Sequence, residues 1–310
     1  MTLHIRENIP LAPLTTFQIG GPAAYLVEVR SEDDLRAALS FAREKNLPFF
    51  VLALGSNVLI SDKGYHGVVF LMRNETICIG EERIEAGAGA SLQSLLRSAM
   101  RSDLAGMENL AGVPGSVGAA VRGNAGAFGS EMKDFVLSVR ALNTASGHME
   151  EFANADCQFG YRWSIFKKRS ELIITSVVVR FRKGSGVESE RKMSAIIAQR
   201  NRKQIQDIRS AGSFFVNPTV SDPSVRDAFE KDAATQSKEG RVPAGWLLNR
   251  VGLRGTKIGG VLASKMHPNY FINTGSATAE DVIMLSGIAK TKVRDQFGVQ
   301  LHEEVTLVGF

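Results

Sequence analysis

Residues 106–129 read GMENLAGVPGSVGAAVRGNAGAFG, and no other stretch constrains the chain as tightly. Seven of these 24 residues are glycine, five are alanine, and only Glu108 and Arg122 carry charge. Side chains this small offer little surface to bury, so the segment cannot build a core. It can bring bare backbone close to a ligand, because glycine adopts turns closed to other residues and leaves N–H groups exposed. Successive N–H groups in such turns form concavities that hold phosphate oxygens. The segment is too apolar for a disordered linker. It reads as a folded, phosphate-cradling wall.

The common phosphate motifs are absent. The chain has no Gly-Lys dipeptide and hence no P-loop. No Gly-x-Gly-x-x-Gly follows a strand, which removes the Rossmann fingerprint. Two further small-residue turns, Gly55-Ser56-Asn57 and Ala86-Gly87-Ala88-Gly89, sit at expected strand ends and suit the rim of such a cleft. Tight turns around a close-packed crossover fit the composition equally well, since glycine-rich turns are common in α/β domains.

At 310 residues the chain suits two or three modest domains. Its 44% hydrophobic and 22% charged residues are those of an ordinary soluble protein. The longest apolar runs are strand-length, and the N-terminus lacks an export-signal pattern, so a cytoplasmic protein without membrane contact is expected. Only Cys78 and Cys157 are cysteines, which fits a reducing compartment. A net charge of +5 suits anionic ligands, but 7% aromatic content and no interleaved basic run argue against nucleic acid. The five histidines show no ligand spacing, so no metal site is expected.

The hydrophobic periods predict three units. Ser31 and Asp34 cap a helix through Glu44 with Leu35, Ala38, Leu39 and Ala42 on its inner face. Strands follow at 48–54, 58–60 and 67–72. A second unit has strands near 76–79 and 83–86, a helix over 91–104, the glycine wall, and strands near 137–142, 149–152 and 171–181. Lys183-Gly184-Ser185-Gly186 is a boundary. The third unit has helices at 188–204, 244–251 and 278–297, and the chain closes with a strand at 299–308 that returns to an earlier sheet. The domain reading is 1–72 with 299–310, 73–185, and 186–298.

Several stretches then resemble one family in collinear order. They are Thr15-Thr16-Phe17-Gln18-Ile19-Gly20-Gly21-Pro22-Ala23, Gly55-Ser56-Asn57, the stretch from Glu108 to Gly129, and Tyr161-Arg162-Trp163-Ser164. Ala211-Gly212-Ser213-Phe214-Phe215, Gly259-Gly260 and Leu301-His302-Glu303-Glu304-Val305 complete the set. Together they resemble the UDP-N-acetylenolpyruvoylglucosamine reductases, flavoenzymes of peptidoglycan precursor synthesis, in the subgroup lacking the extra substrate-covering loop. The resemblance implies an α+β fold: an FAD-binding fold of the vanillyl-alcohol-oxidase type, with two α/β subdomains, plus a C-terminal α+β substrate domain. It also implies a monomer using FAD, with NADPH as co-substrate and a UDP-sugar as substrate.

The flavin-holding loops implied are Leu52, Ala53, Leu54, Gly55, Ser56 and Asn57, then Gly112, Val113, Pro114, Gly115, Ser116 and Gly118, with Asn124 and Gly126 alongside. The implied reaction passes hydride from NADPH through FAD to the terminal vinyl carbon of an enolpyruvyl ether. Negative charge then develops on the neighbouring carbon and its carboxylate, so the site must stabilise an enolate and supply a proton. Arg162 resembles the arginine beside that carboxylate, where a guanidinium fork holds both oxygens. Ser213 resembles the proton donor and Glu304 the catalytic glutamate. Asn217 and His267 are candidates for UDP-sugar contacts. Taken without the family, Arg162 and Glu304 read first as solvated side chains and Ser213 as a turn serine, while His267 is equally a turn residue. By period-2 alternation in the expected strand 299–308, Glu304 shares a face with His302 and Thr306.

Departures from the family pattern stand at Ala53 and Leu54, where a glycine-rich turn is usual, at Val216 in place of a basic residue, and at Thr306 in place of arginine. Two other readings remain at this stage: an FAD oxidase of the same fold, and a flavin- or nucleotide-sugar-binding protein without turnover.

Overall fold

Local capping starts the helices where the periodicity places them. In the computed structural model, which describes residues 3–203 and 208–310, the helix Glu32–Glu44 begins at Ser31, whose hydroxyl accepts the Asp34 N–H at 3.1 Å. Glu32, Asp33 and Asp34 put negative charge in the first turn, where the helix dipole favours it. Leu35, Ala38, Leu39 and Ala42 are its buried face. The chain divides into two compact units. The first comprises Met1–Ile9, Ala23–Leu54 and His66–Arg202; the second comprises Pro10–Pro22, Gly55–Tyr65 and Lys203–Phe310. The helix Gly186–Lys203 is therefore grouped with the first unit, while 10–22 and 55–65 go with the C-terminal part.

The first unit holds two large sheets, besides two of two strands each. One runs in the order Ile5–Pro10, Pro22–Val29, Tyr65–Met72, Phe49–Leu52, the last two parallel with Phe49 opposite Val68. Val27, Val68 and Phe70 pack beneath the helix Glu32–Glu44 in its core. The other sheet is antiparallel: Met149–Ala153, Val136–Asn143, Leu172–Arg180, Arg83–Gly87, Ile77–Ile79. Its central strand, Leu172–Arg180, is rich in β-branched residues that suit a buried pleat. Leu92, Leu95, Leu96 and Ala99 of the helix Leu92–Arg101 share a core with Val117, Val121, Val177 and Val179.

In the second unit a three-stranded antiparallel sheet, Lys257–Ile258, Val261–Ala263 and Phe271–Asn273, accompanies the helices Pro223–Ala233, Ala244–Arg250 and Ala279–Phe297. Thr278 and Asp281 form a reciprocal capping box on the last helix, and Gly298 ends it at φ +64°. Asp62 adds a second cap, accepting the N–H groups of Ala279 and Glu280 at 2.9 and 3.2 Å. Phe214, Phe215 and Phe271 centre the core, with the Phe214 and Phe271 rings stacked at 4.5 Å.

One expectation needs correction. The terminal strand is Thr306–Val308, parallel to Val58–Ile60, and does not begin at 299. The chain bends at Glu304 and Val305, because residues 302–304 pair with a different segment. Gln204, the expected end of the third-unit helix, lies outside the described residues. Among the described residues no helix is long and apolar enough to cross a membrane.

Candidate active site

Hydrogen bonding divides the glycine wall into parts already used and parts still open. The Gly112 N–H donates to Gln93 Oε1 at 3.0 Å, Val113 to the Leu110 carbonyl, Val117 to Ala90, and Gly118 to Ala88 at 3.0 Å. Pro114 has no N–H. Among the described residues, the N–H groups of Gly115 and Ser116 are those of 112–118 with no protein acceptor. Gly115 sits at φ +118° and Ser116 is buried, so an oxygen ligand is the partner their donors lack. Gly118 serves packing: a Cβ there would stand 2.7 Å from Ala88 Cβ. The bare-donor role expected of Gly112 and Gly118 is thereby narrowed to Gly115 and Ser116.

Glu108, in the same wall, accepts the Ser189 hydroxyl at 2.7 Å and the Gly106 N–H at 3.0 Å. Burial acts to raise its pKa, but these bonds and the nearby Lys192 outweigh it and hold the carboxyl below its ordinary range. The helix Gly186–Lys203 is tied to the wall through this bond.

In the second unit Gly55-Ser56-Asn57 forms a comparable turn. Gly55 has φ +59°, and a Cβ on it would lie 2.2 Å from the Leu14 carbonyl oxygen, so only glycine fits. Its carbonyl accepts the Thr16 N–H, while the N–H groups of Gly55, Ser56 and Asn57 have no protein acceptor among the described residues. Leu52 ends a strand of the first unit, and Ala53 and Leu54 lead from it into this turn.

Arg162 occupies a tight turn of the first unit. Gly160 and Trp163 exchange N–H···O bonds at 3.0 and 3.2 Å, leaving Tyr161 and Arg162 at the tip, with Arg162 at φ +52°. Its guanidinium donates to the Gly126 carbonyl at 3.3 Å and lies over the Tyr161 ring. Lys167 Nζ donates to the Arg162 carbonyl at 2.8 Å, and the buried Ser164 hydroxyl donates to the Arg122 carbonyl at 2.7 Å. The Tyr-Arg-x-Ser stretch is thus fastened to the glycine wall. Asn124 is fully buried and at φ +42°; its Nδ2 donates to Gly160 O and Glu131 Oε2, and its Oδ1 accepts the Lys133 N–H. Its own N–H goes to Val121. Every donor of Asn124 is spent inside the protein, so none is left for a flavin oxygen.

The backbone segments that carry Ser213 and Glu304 are paired with each other in the second unit. Residues 213–216 lie between two segments: Ser213 bridges Tyr270, with Phe214 N–H donating to the Asn269 carbonyl, and Phe215 bridges Glu303. Glu304 N–H donates to the Phe214 carbonyl at 2.8 Å. Asn57 Nδ2 donates to the Glu304 carbonyl at 3.0 Å, so three of the expected residues share one corner. The bend at Glu304 ends the alternation, and the face shared with His302 and Thr306 is not formed. Neighbouring Glu303 is tied down instead, by Lys290 Nζ at 2.5 Å and the Ser286 hydroxyl at 3.1 Å.

Asn217 and His267 converge on the first turn of the helix Ala244–Arg250. Asn217 Oδ1 accepts the Ala244 N–H at 3.0 Å, and a Cβ on Gly245 would lie 2.9 Å from His267 Cε1. The His267 Nδ1 is buried without a hydrogen-bond partner among the described residues. Burial, helped by the charge of Arg254, lowers the His267 pKa and favours the neutral ring.

Comparison with known proteins shows the family. Residues 203–308 match the family described as UDP-N-acetylenolpyruvoylglucosamine reductase, C-terminal domain, and residues 23–153 match an FAD binding domain. The UDP-N-acetylenolpyruvoylglucosamine reductase of Solibacter usitatus is 38% identical over 309 residues, spanning 99% of this chain and 97% of that protein. The chain belongs to the UDP-N-acetylenolpyruvoylglucosamine reductase family. The Syntrophomonas wolfei reductase is 35% identical, over 99% of this chain and 95% of that protein. The crystal structure of the Thermus caldophilus reductase superposes with a TM-score of 0.77 at 29% identity, covering 99% of both chains.

For a member of this reductase family the FAD-binding α+β fold is the one expected from the sequence, and the residues present fit the cofactor. The open N–H groups of Gly115 and Ser116, and separately those of Gly55, Ser56 and Asn57, are the donors a diphosphate needs. Sequence reading missed Asn269, Asn273 and Asp62 as residues of this reductase scaffold. Asn273 Nδ2 donates to the Phe17 carbonyl at 3.0 Å while its Oδ1 accepts Gly275 and Ala277 N–H groups. No local pattern marks these asparagines; their partners are fixed only by tertiary packing.

Proposed function

We propose that this chain is an NADPH-dependent flavoenzyme. It reduces the enolpyruvyl ether of UDP-N-acetylenolpyruvoylglucosamine to the lactyl ether of UDP-N-acetylmuramate, supplying peptidoglycan synthesis as a cytoplasmic monomer. The observation that carries it is the Glu304 N–H to Phe214 carbonyl bond, which sets a serine hydroxyl and a carboxylate on adjacent backbone segments. An oxidase needs no such proton-delivering pair.

FAD, when bound, would supply the hydride chemistry between NADPH and the terminal vinyl carbon. In the first unit, Gly112–Ser116 and Gly126 are the cofactor-holding residues, with the Gly115 and Ser116 N–H groups as its phosphate donors; in the second unit, the Gly55–Asn57 turn is read in the same way. Arg162 grips the substrate carboxylate in a two-pronged fork that stays charged and neutralises the growing enolate. Ser213 Oγ–H delivers its proton to the carbon next to the carboxylate. A serine is a weak acid in water, but a strongly basic carbanion in a dry cleft accepts from it. Glu304 hydrogen-bonds the enolate carboxyl. Asn217 and His267 contact the UDP-sugar, and the unpartnered His267 Nδ1 supports that reading. The two large sheets of the first unit form the FAD-binding subdomains, and the second unit carries the substrate-binding portion.

A two-step anaerobic assay tests this. NADPH should bleach the yellow protein, and the enolpyruvyl UDP-sugar should restore the colour faster than oxygen does. Colour restored by oxygen but not by the sugar would make the protein an oxidase, and a colourless protein that binds no FAD would remove flavin chemistry.

A further inference from the structure

Asn124 is fully buried at the junction of the loops that carry the Arg162 turn. Its Nδ2 donates to the Gly160 carbonyl at 2.8 Å, at the residue that opens the turn, and to Glu131 Oε2 at 3.0 Å. Its Oδ1 accepts the Lys133 N–H at 3.0 Å. The Glu131 stem in turn lies against Gly126: a Cβ on that glycine would stand 2.7 Å from Glu131 Cγ. The Gly126 carbonyl accepts the Arg162 guanidinium at 3.3 Å. The contacts therefore close a circuit, Asn124 to Gly160, through the turn to Arg162, to Gly126, to Glu131, and back to Asn124.

Arg162 needs such support. At φ +52° it holds a backbone conformation that a residue with a Cβ adopts at a cost, and such conformations persist only where surrounding contacts over-determine them. Lys167 Nζ holds the Arg162 carbonyl from the other side at 2.8 Å. A fully buried amide with all its hydrogen bonds satisfied is a rigid fixture. Removing it frees the turn without touching the flavin-facing donors at Gly115 and Ser116.

We infer that Asn124 is a positioning residue for the substrate half of the reaction. By locking the Gly160–Trp163 turn against Gly126 and Glu131, it aims the Arg162 guanidinium at the carboxylate of the enolpyruvyl group. This rests on the reductase reading above. Asn124 acts through Arg162, so its loss weakens the carboxylate grip and leaves cofactor binding and NADPH oxidation in place.

The test compares Asn124→Gly with the parent holoenzyme. Glycine accepts φ +42° without strain, so the variant deletes the hydrogen bonds while keeping the backbone conformation. The expected result is an unchanged flavin content, a rate of flavin reduction by NADPH within twofold of the parent, and a KM for the UDP-sugar raised at least tenfold. The shift that substrate induces in the flavin absorbance spectrum should need correspondingly more substrate. Lys167→Met, which loosens the same turn by removing the bond to the Arg162 carbonyl, should raise the same KM at least threefold and likewise spare reduction by NADPH; it keeps the proposal testable if Asn124→Gly does not fold. An unchanged KM in a folded variant, or equal losses in both half-reactions, overturns the proposal. Failure of the parent holoenzyme to be reoxidised by the UDP-sugar sinks the reductase reading instead, and the positioning role with it.

Discussion

Asn269 meets the main chain of Phe215 twice: its Oδ1 accepts the Phe215 N–H and its Nδ2 donates to the Phe215 carbonyl, each at 2.9 Å. With Phe214 N–H on the Asn269 carbonyl, this holds residues 213–216 as rigidly as a sheet strand. Ser213 and the Glu304 backbone are aligned by the same contacts.

Asn269→Leu should therefore destabilise the protein by about 2 to 4 kcal/mol, because it strands two buried main-chain groups that water does not reach. Urea unfolding at constant m-value is the measurement. A loss below about 1 kcal/mol would mean that the Phe215 groups find other partners.

Gly118→Ala should cost about 1 to 3 kcal/mol through overpacking, since the new methyl would meet Ala88 Cβ at 2.7 Å and the Ala88 carbonyl oxygen at 3.1 Å. The helix Val117–Arg122 would have to lift, disturbing Gly115 and Ser116 just before it, so FAD should also be released more easily. Gly123→Ala is the control: its nearest neighbour is the Ala119 carbonyl oxygen at 3.5 Å. Thermal melting and the rise of free-flavin fluorescence would separate the two variants; equal behaviour would refute the packing argument.

The Glu303–Lys290 pair carries a pH signature. Burial alone would raise the Glu303 pKa, but the Lys290 contact, its own backbone bond and the Ser286 hydroxyl outweigh it and lower the value. A lowered folded pKa contributes stability above the ordinary carboxyl value of 4.5, lost as pH falls through the folded value. Lys290→Met should thus cost about 1 kcal/mol at pH 7, the pair being half-buried, and the deficit should shrink below about pH 4.5. A deficit independent of pH would show that packing, and not the ion pair, was lost.

Ser213→Ala should leave flavin reduction by NADPH within about twofold and slow reoxidation by the UDP-sugar by at least about a hundredfold, the lower range of a general-acid contribution. Stopped-flow absorbance resolves the two steps. An equal loss in both would remove the proton-donor assignment.

Local chemistry accounts for what was legible without coordinates. The Ser31–Asp34 and Thr278–Asp281 caps, and the apolar stripes behind them, use groups three or four residues apart. The glycine wall also announces itself, because glycine and alanine leave a segment only its backbone to offer. The helix boundaries at 32–44 and 279–297 follow from these signals.

The terminal segment was not legible in the same way. Alternation puts Glu304 on a face with His302 and Thr306, yet two different partners claim this stretch: Phe215 for Glu303, and Val58–Ile60 for the last strand. The chain bends between them. Asn124 was likewise placed beside the flavin by its neighbours in sequence, while its amide is consumed by a turn 36 residues away.

Sequence by itself determined the family, the capped helices and the identity of the bare-backbone stretches, because those depend on residue type and short-range spacing. Tertiary structure alone decided which N–H groups of the wall stay open, which asparagines are scaffolding, and how the segment of Ser213 comes to pair with that of Glu304. The physical reason is distance along the chain: hydrogen bonds such as Asn57 to Glu304 span 247 residues, and only the folded core brings such partners within reach.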